Sequence, residues 1–186
     1  MSPPRSNRHA HLVAAAVAMA LFAVLVLLGA GGAPPANAAP PSEPVCTVTQ
    51  SRILINGTGL VVALPAPYDT NGTRPIMWSY WGGNNQRWCE TGTSGGSQWR
   101  NRLSGKCLTA SGPVANGTLV DQQQCVSGNT KQRWTRVPLS SGWGLKNDGT
   151  GRCLDIVEKS TSAGAKLQVW GCSYATNQRW GIGEAY

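Results

Sequence analysis

The stretch LQVWGCSYATNQRW, Leu167 to Trp180, decides the fold because its last three residues recur at a fixed interval. The triplet Gln-Arg-Trp ends at Trp88, Trp134 and Trp180, so both intervals are 46 residues. Self-similarity at such a period is typical of architectures built from repeated supersecondary units. The sequence therefore predicts three consecutive units, which span about 47–92, 93–138 and 139–186.

Each unit contains short apolar stretches separated by turn sequences. CLTA, CLDIV and LQVW are typical strand segments, and NGTG, SGK and NDGTG are typical turns. The Asn-Gly-Thr triplets match a glycosylation acceptor, but Asn-Gly is also a preferred tight-turn pair, and we favour the turn. A unit of this length holds four short strands and cannot bury its apolar face alone. The predicted fold is therefore all-β, a twelve-stranded β-trefoil of three pseudo-symmetric repeats.

The Gln-Arg-Trp triplets also indicate which side chains face the core. Because side chains alternate along a strand, Gln and Trp should point one way and Arg the other. We expect a structural core that includes Trp88, Trp134, Trp180 and Gln132. Solvent-facing positions are expected for Arg87, Arg133 and Arg179.

The six cysteines all follow residue 38, and an even number after an export signal favours disulfides. Units two and three each hold a cysteine pair in register, 18 and 19 residues apart. Pairing within each unit repeats one geometry twice, and the remaining two cysteines then pair by elimination. The expected disulfides are Cys107–Cys125, Cys153–Cys172 and Cys46–Cys89, each worth about 3 kcal/mol in the chain-entropy model.

Residues 1–38 have the order of an export signal. Arg5 and Arg8 precede an apolar run from Leu12 to Ala30, and Ala36-Asn37-Ala38 supplies a small-residue cleavage site. Cleavage there leaves a Pro/Ala-rich linker over 39–46 and a folded domain over 47–186, so we expect a secreted protein. Because the run nears the length that spans a bilayer, an uncleaved membrane anchor is the alternative.

The charged residues bear on the function classes. The formal net charge is +8, but two of the cations lie in the signal and no basic run follows the linker, so nucleic acid is not an expected partner. The only histidines, His9 and His11, also lie in the signal. Histidine-based nucleophilic catalysis and histidine metal sites are therefore excluded in the mature chain, and no cofactor or metal is expected.

Three Q-x-W triplets, with Cys-Leu ahead and a second cysteine between, resemble the ricin B-type lectin family. The resemblance covers about residues 47 to 186 and implies a trefoil in which each unit can carry one shallow sugar site. It also implies the binding residues, namely an aspartate after Cys-Leu, a glutamine two residues before an aromatic, that aromatic, and an asparagine just before the Q-x-W glutamine.

Unit three matches this pattern at every position, with Asp155, Gln168, Trp170 and Asn177. An indole can carry the C–H face of a sugar, and a carboxylate can accept from two neighbouring hydroxyls. We expect Asn177 to donate to the same hydroxyls, Gln168 to contact the end of the sugar, and Gln178 to support the turn or orient Asp155. In the alternative interpretation Trp170 fills a groove and Asp155 only forms a turn.

The other units depart from the pattern. Unit one keeps Trp78, Asn85 and Gln86, which make at most a weak second site because the aspartate and glutamine are replaced. The replacements are Ala63 and Ile76. Unit two, with Thr109, Asp121, Gln123 and Lys131 at the four positions, is expected to bind no sugar.

The sequence thus predicts a monomeric, non-enzymatic carbohydrate-binding module for galactose-like or pentose-type sugars. One shallow site should bind weakly, with a Kd near 1 mM, about −4 kcal/mol. Two alternatives are a glycoside hydrolase, which needs two carboxylates, and a trefoil without sugar function, such as an inhibitor or a toxin-targeting subunit.

Overall fold

The computed structural model describes residues 46, 52–93 and 96–184. The predicted export signal, and all of the linker except Cys46, lie outside the described residues. Within the described part no helix is long and apolar enough to cross a membrane. The strands are β1 (Arg52–Ile55), β2 (Val61–Ala63), β3 (Ile76–Trp78), β4 (Trp88–Thr93), β5 (Gly96–Asn101), β6 (Cys107–Thr109), β7 (Thr118–Leu119), β8 (Asp121–Gln123), β9 (Arg133–Pro138), β10 (Trp143–Asn147), β11 (Cys153–Ile156), β12 (Leu167–Trp170) and β13 (Gly181–Glu184). Short 3₁₀ turns span Asn84–Gln86, Thr130–Gln132, Val157–Lys159 and Thr176–Gln178.

The predicted all-β trefoil is confirmed, with one difference in strand number. The described residues form thirteen strands rather than twelve, because the third strand of unit two is divided. Its first part, β7, pairs with β12 of unit three, and its second part, β8, pairs with β6 of its own unit. Strand β1 pairs with β13 from Arg52↔Glu184 to Ile55↔Gly181, so the first and last units are joined.

The three triplet tryptophans occupy equivalent places in one core. Trp88, Trp134 and Trp180 are fully buried. Each indole N–H donates to a backbone carbonyl 26 residues earlier, which satisfies its polar atom inside the core. The acceptors are the carbonyls of Val62, Leu108 and Leu154, at 3.0, 3.0 and 3.2 Å.

The three triplet glutamines fix the turn that precedes each triplet. In unit one, the Gln86 side chain accepts from the N–H of Trp81 at 2.9 Å and donates to the carbonyl of Ser79 at 2.7 Å. Gln132 makes the same two types of bond, to Val126 and Gln124. All three glutamines are buried, so this turn is held from within in every unit.

One expectation about the arginines is wrong. Arg179 is exposed and Arg133 is half-buried, but Arg87 is only 9% exposed. Unit one has Tyr80 where units two and three have a cysteine, and its hydroxyl lies 3.5 Å from the Arg87 guanidinium. The larger side chain covers the arginine.

The disulfides join Cys107 to Cys125, Cys153 to Cys172 and Cys46 to Cys89. The first two have Cα–Cα distances of 5.1 and 5.0 Å, so they are equivalent features of two units. In both units the second cysteine directly precedes a residue whose N–H donates to the triplet glutamine.

Candidate functional site

The candidate site lies on the hairpin formed by β11 and β12. Asp155 pairs with Gln168 across these strands, and Cys153 pairs with Trp170. The intervening residues of both strands face the core, so Asp155, Gln168 and Trp170 share the outer face of the hairpin. Trp170 is the diagonal neighbour of Asp155, a relation that places Cα atoms about 7–8 Å apart.

This outer face forms one wall of a hollow of about 600 Å³. The 3₁₀ turns Val157–Lys159 and Thr176–Gln178 contribute other walls. The hollow is lined by all five residues that the sequence assigns to the site, Asp155, Gln168, Trp170, Asn177 and Gln178. Trp170 is 44% exposed, so its ring does not fill a groove in the core.

Asp155 is a buried carboxylate held by three amide groups. It is 3% exposed. Its Oδ1 accepts from Gln168 Nε2 at 2.8 Å, and its Oδ2 accepts from Asn177 Nδ2 at 2.6 Å and Gln178 Nε2 at 2.8 Å. A buried charge requires such donors, because an unpaired one would be strongly unfavourable. A carboxylate has about four acceptor positions, so about one remains for a ligand.

The role expected for Asn177 needs correction. Its Nδ2 donates to Asp155 and, at 3.5 Å, to the carbonyl of Ile156, so it is not available as a donor to a ligand. Its Oδ1 is buried and has no hydrogen-bond partner. A flipped amide would place this oxygen against the carboxylate, so the bonds to Asp155 fix the orientation. Asn177 therefore offers an acceptor.

Gln168 offers a second amide oxygen. Its Nε2 is used by Asp155, while its Oε1 accepts no hydrogen bond from the described residues. Together with the free position on Asp155, the hollow presents oxygen acceptors on three side chains. Such a set is suited to ligand groups that donate hydrogen bonds, as hydroxyls do.

Gln178 both supports the turn and orients the carboxylate. Its Nε2 donates to Asp155 and to the carbonyl of Gly171, and its Oε1 accepts from the N–H groups of Ser173 and Tyr174. The side chain is fully buried. All of its polar capacity is used inside the protein, so Gln178 positions Asp155 and leaves the ligand to the other residues.

Backbone strain is concentrated around this hollow. Among the described residues, the non-glycine positions with positive φ are Glu158 and Lys159, both at 56°, and Tyr174 at 54°. Glu158 and Lys159 line the hollow, and Tyr174 follows Ser173, which also lines it. Strained backbone of this kind tends to occur at functional sites.

Tyr174 shows how unit three differs from the other units. The equivalent residues, at intervals of 46, are Gly128 and Gly82, with φ of 76° and 84°. The fold thus requires a left-handed residue here, which glycine adopts without steric cost. The Tyr174 ring packs against Gly144, where an added Cβ would lie 2.7 Å from the ring. A tyrosine at a glycine position of the repeat is a sequence signal that was missed.

Unit two supplies part of the rim beside Trp170. Asn116 Oδ1 accepts from the N–H of Gly171 and from Arg152 Nε, both at 2.9 Å. At Gly117 an added Cβ would lie 3.8 Å from the Trp170 ring. The sequence identified this Asn-Gly-Thr triplet as a turn, but its contact with unit three could not be read from the repeat.

The equivalent region of unit one is an apolar cleft of about 240 Å³. It is lined by Trp78 and Asn85, as the sequence suggested, and also by Tyr68 and Trp81. Trp81 is 64% exposed, yet its ring lies against Gly83, where an added Cβ would be 2.2 Å from it. Tyr68 and Trp81 were missed, although both are aromatic residues without a counterpart in the other units.

Asn85 and Gln86 have structural bonds in this cleft. Asn85 Nδ2 donates to the carbonyl of Leu64 at 2.9 Å. Gln86 is fully buried and bonded to Ser79 and Trp81, so it does not reach the cleft. Asn177 donates to the corresponding carbonyl of unit three, that of Ile156, so Asn85 lacks only the bond to a carboxylate.

Unit two has a polar hollow in the equivalent place. Thr109, Gln123, Lys131 and Gln132 are among its lining residues, and neither an aromatic ring nor a carboxylate lines it. Lys131 donates to the carbonyl of Gly112 at 2.8 Å. Among the described residues of the whole chain, no group of three or more His, Cys, Asp or Glu side chains could hold a metal ion.

A trefoil with this repeated triplet and this hairpin site defines the class of protein. The family model described as ricin-type beta-trefoil lectin domain matches residues 50–180, and the chain belongs to this family. Comparison with curated proteins finds no match to the sequence.

Solved structures share the fold. The designed threefold-symmetric protein ThreeFoil is 28% identical, with a TM-score of 0.68, over 72% of this chain and 98% of that one. The ricin B-like lectin of Macrolepiota procera, solved in complex with lactose, is 22% identical, with a TM-score of 0.63, over 75% of this chain and 98% of that one. An exo-beta-1,3-galactanase from Clostridium thermocellum is 24% identical, with a TM-score of 0.68, over 73% of this chain and 30% of that one.

Proposed function

We propose that this protein is a secreted, monomeric carbohydrate-binding module without catalytic activity, with one complete site in unit three. The observation that carries the proposal is a buried carboxylate, held by three amides, in the same hollow as a half-exposed indole. Family membership supports the same function.

The chemistry of the hollow suits a neutral sugar. Hydroxyls donate to the free acceptor positions on Asp155, Gln168 and Asn177, and a bond to the ionised carboxylate is the strongest of these. The C–H face of the sugar stacks on the Trp170 ring. A galactose-like sugar fits because it has one clean face for stacking beside adjacent 3- and 4-hydroxyls, and the lactose complex of the Macrolepiota procera lectin supports this choice. Arabinose and xylose are the pentose candidates.

Glycoside hydrolysis is the second candidate, because a second carboxylate, Glu158, lines the same hollow. Both oxygens of Asp155 are engaged by amide N–H groups, which leaves this carboxylate poorly placed to act as a nucleophile. Reducing-sugar release from galactan, arabinan and xylan separates the two candidates. We expect none, and release that is lost in Glu158→Gln would replace the binding proposal with hydrolysis.

The binding proposal is tested by titrating the protein with galactose, arabinose and xylose and following the tryptophan indole N–H signals by NMR. The Trp170 signal should shift with one sugar at a Kd of about 1 mM, about −4 kcal/mol. The Trp78 signal should stay in place. Binding that moves only Trp78, or no response to these sugars or to a wider glycan array, would refute the assignment.

A further inference from the structure

A second, smaller hollow adjoins the site. It has a volume of about 280 Å³ and shares Lys159 and Asn177 with the hollow of unit three. Its remaining walls come from both sides of the border between units one and three, and we call it the border hollow. It is lined by Asn56–Thr58, Ile156, Lys159–Thr161 and Thr176–Asn177.

The border hollow contains polar groups with unused hydrogen-bonding capacity. Asn56 is buried, and its Oδ1 accepts from the N–H of Thr58 at 3.0 Å, but its amide nitrogen donates to no described residue. The hydroxyls of Thr161 and Thr176 have no hydrogen bond within the described residues either. The partnerless Oδ1 of Asn177 belongs to a residue that lines both hollows. Asn56 and Asn177 are buried, whereas Thr161 and Thr176 are exposed, so the walls of the hollow present two amide side chains and two accessible hydroxyls to a polar ligand.

At the border between units one and two, a side chain takes the equivalent place. Arg102 follows Asn101, which corresponds to Asn56 in the strand register, and its guanidinium donates to Asn84 Oδ1. Asn84 in turn is equivalent to Thr176 by two intervals of 46 residues. The arginine therefore spans the place where the border hollow lies in unit three.

At the border between units two and three, the backbone itself closes the space. Gly149, two repeats after Gly57, donates its N–H to the carbonyl of Thr130 at 3.0 Å. An added Cβ at Gly149 would lie 2.8 Å from the backbone nitrogen of Lys131. At Gly57, in contrast, an added Cβ would meet nothing within 4 Å. Of the three borders in the described structure, the one beside the complete site is open.

We propose that the ligand is at least a disaccharide, whose second sugar residue occupies the border hollow. The inference rests on the proposed function, since the first residue lies on Trp170 and Asp155. The second residue is bound through its hydroxyls, which can accept from Asn56 and Lys159 and donate to Asn177 or the threonines. No aromatic ring lines the border hollow, so this part of the site recognises hydroxyl positions rather than a sugar face.

The test compares galactose with lactose, β-1,3-galactobiose and β-1,4-galactobiose by NMR titration of the mature protein. The best disaccharide should bind at least threefold more tightly than galactose. In Gly57→Leu, which places a side chain at the wall of the border hollow, this gain should disappear while galactose affinity stays the same. Gly92→Leu is the matched control, because Gly92 is exposed, has no positive φ and has nothing within 4 Å of an added Cβ.

The outcomes separate the two proposals. If galactose binds but no disaccharide binds more tightly, or if Gly57→Leu keeps the gain, the disaccharide proposal is wrong and the single-sugar site stands. If neither galactose nor any of the disaccharides binds, the galactose-type function fails and the disaccharide proposal fails with it.

Discussion

Units one and three place the same hairpin and the same turn around hollows that differ in a carboxylate and its glutamine partner. In unit three the outer face carries Asp155, Gln168 and one tryptophan. In unit one Ala63 and Ile76 stand at the equivalent positions, and Trp78 remains. In both hairpins the strand residues that alternate with these positions are buried in the shared core. The two units therefore differ on the outer face of the hairpin and not in the core.

The comparison shows that the carboxylate organises the site. In unit three, Asn177 and Gln178 both turn their amide nitrogens toward Asp155. In unit one the equivalent Asn85 and Gln86 donate only to the backbone carbonyls of Leu64 and Ser79, whereas Asn177 and Gln178 make the corresponding backbone bonds in addition to those to Asp155. The same two residue types therefore hold the same turn in both units, and in unit three they also bind the carboxylate of the candidate site.

Removing the carboxylate should have the largest effect. Asp155→Asn keeps the size of the side chain but loses the charge that three amides share. We expect sugar affinity to fall at least tenfold, about 1.4 kcal/mol or more, because the charge-assisted bonds are lost. Sugar titration by NMR measures the change.

The same variant should also lower the free energy of unfolding, by about 1–3 kcal/mol, because buried amide donors lose part of their partner. Urea unfolding measures it. Asp121→Asn in unit two is the control, since Asp121 bonds to Ser111 and Gln123 away from the site. Equal affinity in Asp155→Asn and the wild type would mean that the carboxylate has only a structural role.

The two exposed tryptophans provide the next test, because Trp170 and Trp78 are 44% and 45% exposed at equivalent positions. Trp170→Ala should weaken sugar binding about tenfold, about 1.4 kcal/mol. Trp78→Ala should change it less than twofold. Both variants should retain the far-ultraviolet circular dichroism of the wild type, and a loss of binding in Trp78→Ala alone would move the site to unit one.

A transplant of two residues tests whether the carboxylate and its glutamine partner are sufficient. In Ala63→Asp/Ile76→Gln, the new carboxylate would find Asn85 and Gln86 as donors. We expect a second site of similar, weak affinity, detected as a sugar-dependent shift of the Trp78 indole signal. If the variant folds and Trp78 does not respond, the difference between units lies also in Trp81, which occupies the place of Ser173.

Much of this fold could be predicted from the sequence, because its main determinants repeat. The interval of 46 residues places the triplet tryptophans and glutamines in register, and the hydrogen bonds of the three units follow that register. The divided strand β7–β8 could not be predicted, since it depends on which neighbouring unit each half pairs with. The burial of Arg87 beside Tyr80 could not be predicted either, because the alternation of side chains along a strand does not show what covers each one.

The residues of the candidate site could also be named from the sequence, but the direction of their hydrogen bonds could not. Which end of Asn177 faces a ligand depends on Asp155, 22 residues away in the chain. The border hollow depends on contacts between unit one and unit three, whose lining residues are about 100 residues or more apart in the chain. A sequence motif that lies within one unit does not predict such contacts between units.

The smallest effect is expected at Tyr174, where unit three has a tyrosine and units one and two have glycine. In Tyr174→Gly the strained φ is relieved, which favours the folded state by about 1 kcal/mol. The lost packing of the ring on Gly144 and the greater freedom of glycine in the unfolded chain oppose this gain. The free energy of unfolding should therefore change by less than about 1 kcal/mol, as measured in urea, with Gly128 of unit two as the structural precedent.

Sugar affinity should stay within twofold of the wild type, because Gln178 still accepts a hydrogen bond from the backbone N–H of residue 174. A larger loss of affinity without a loss of stability would show that the tyrosine ring takes part in shaping the hollow.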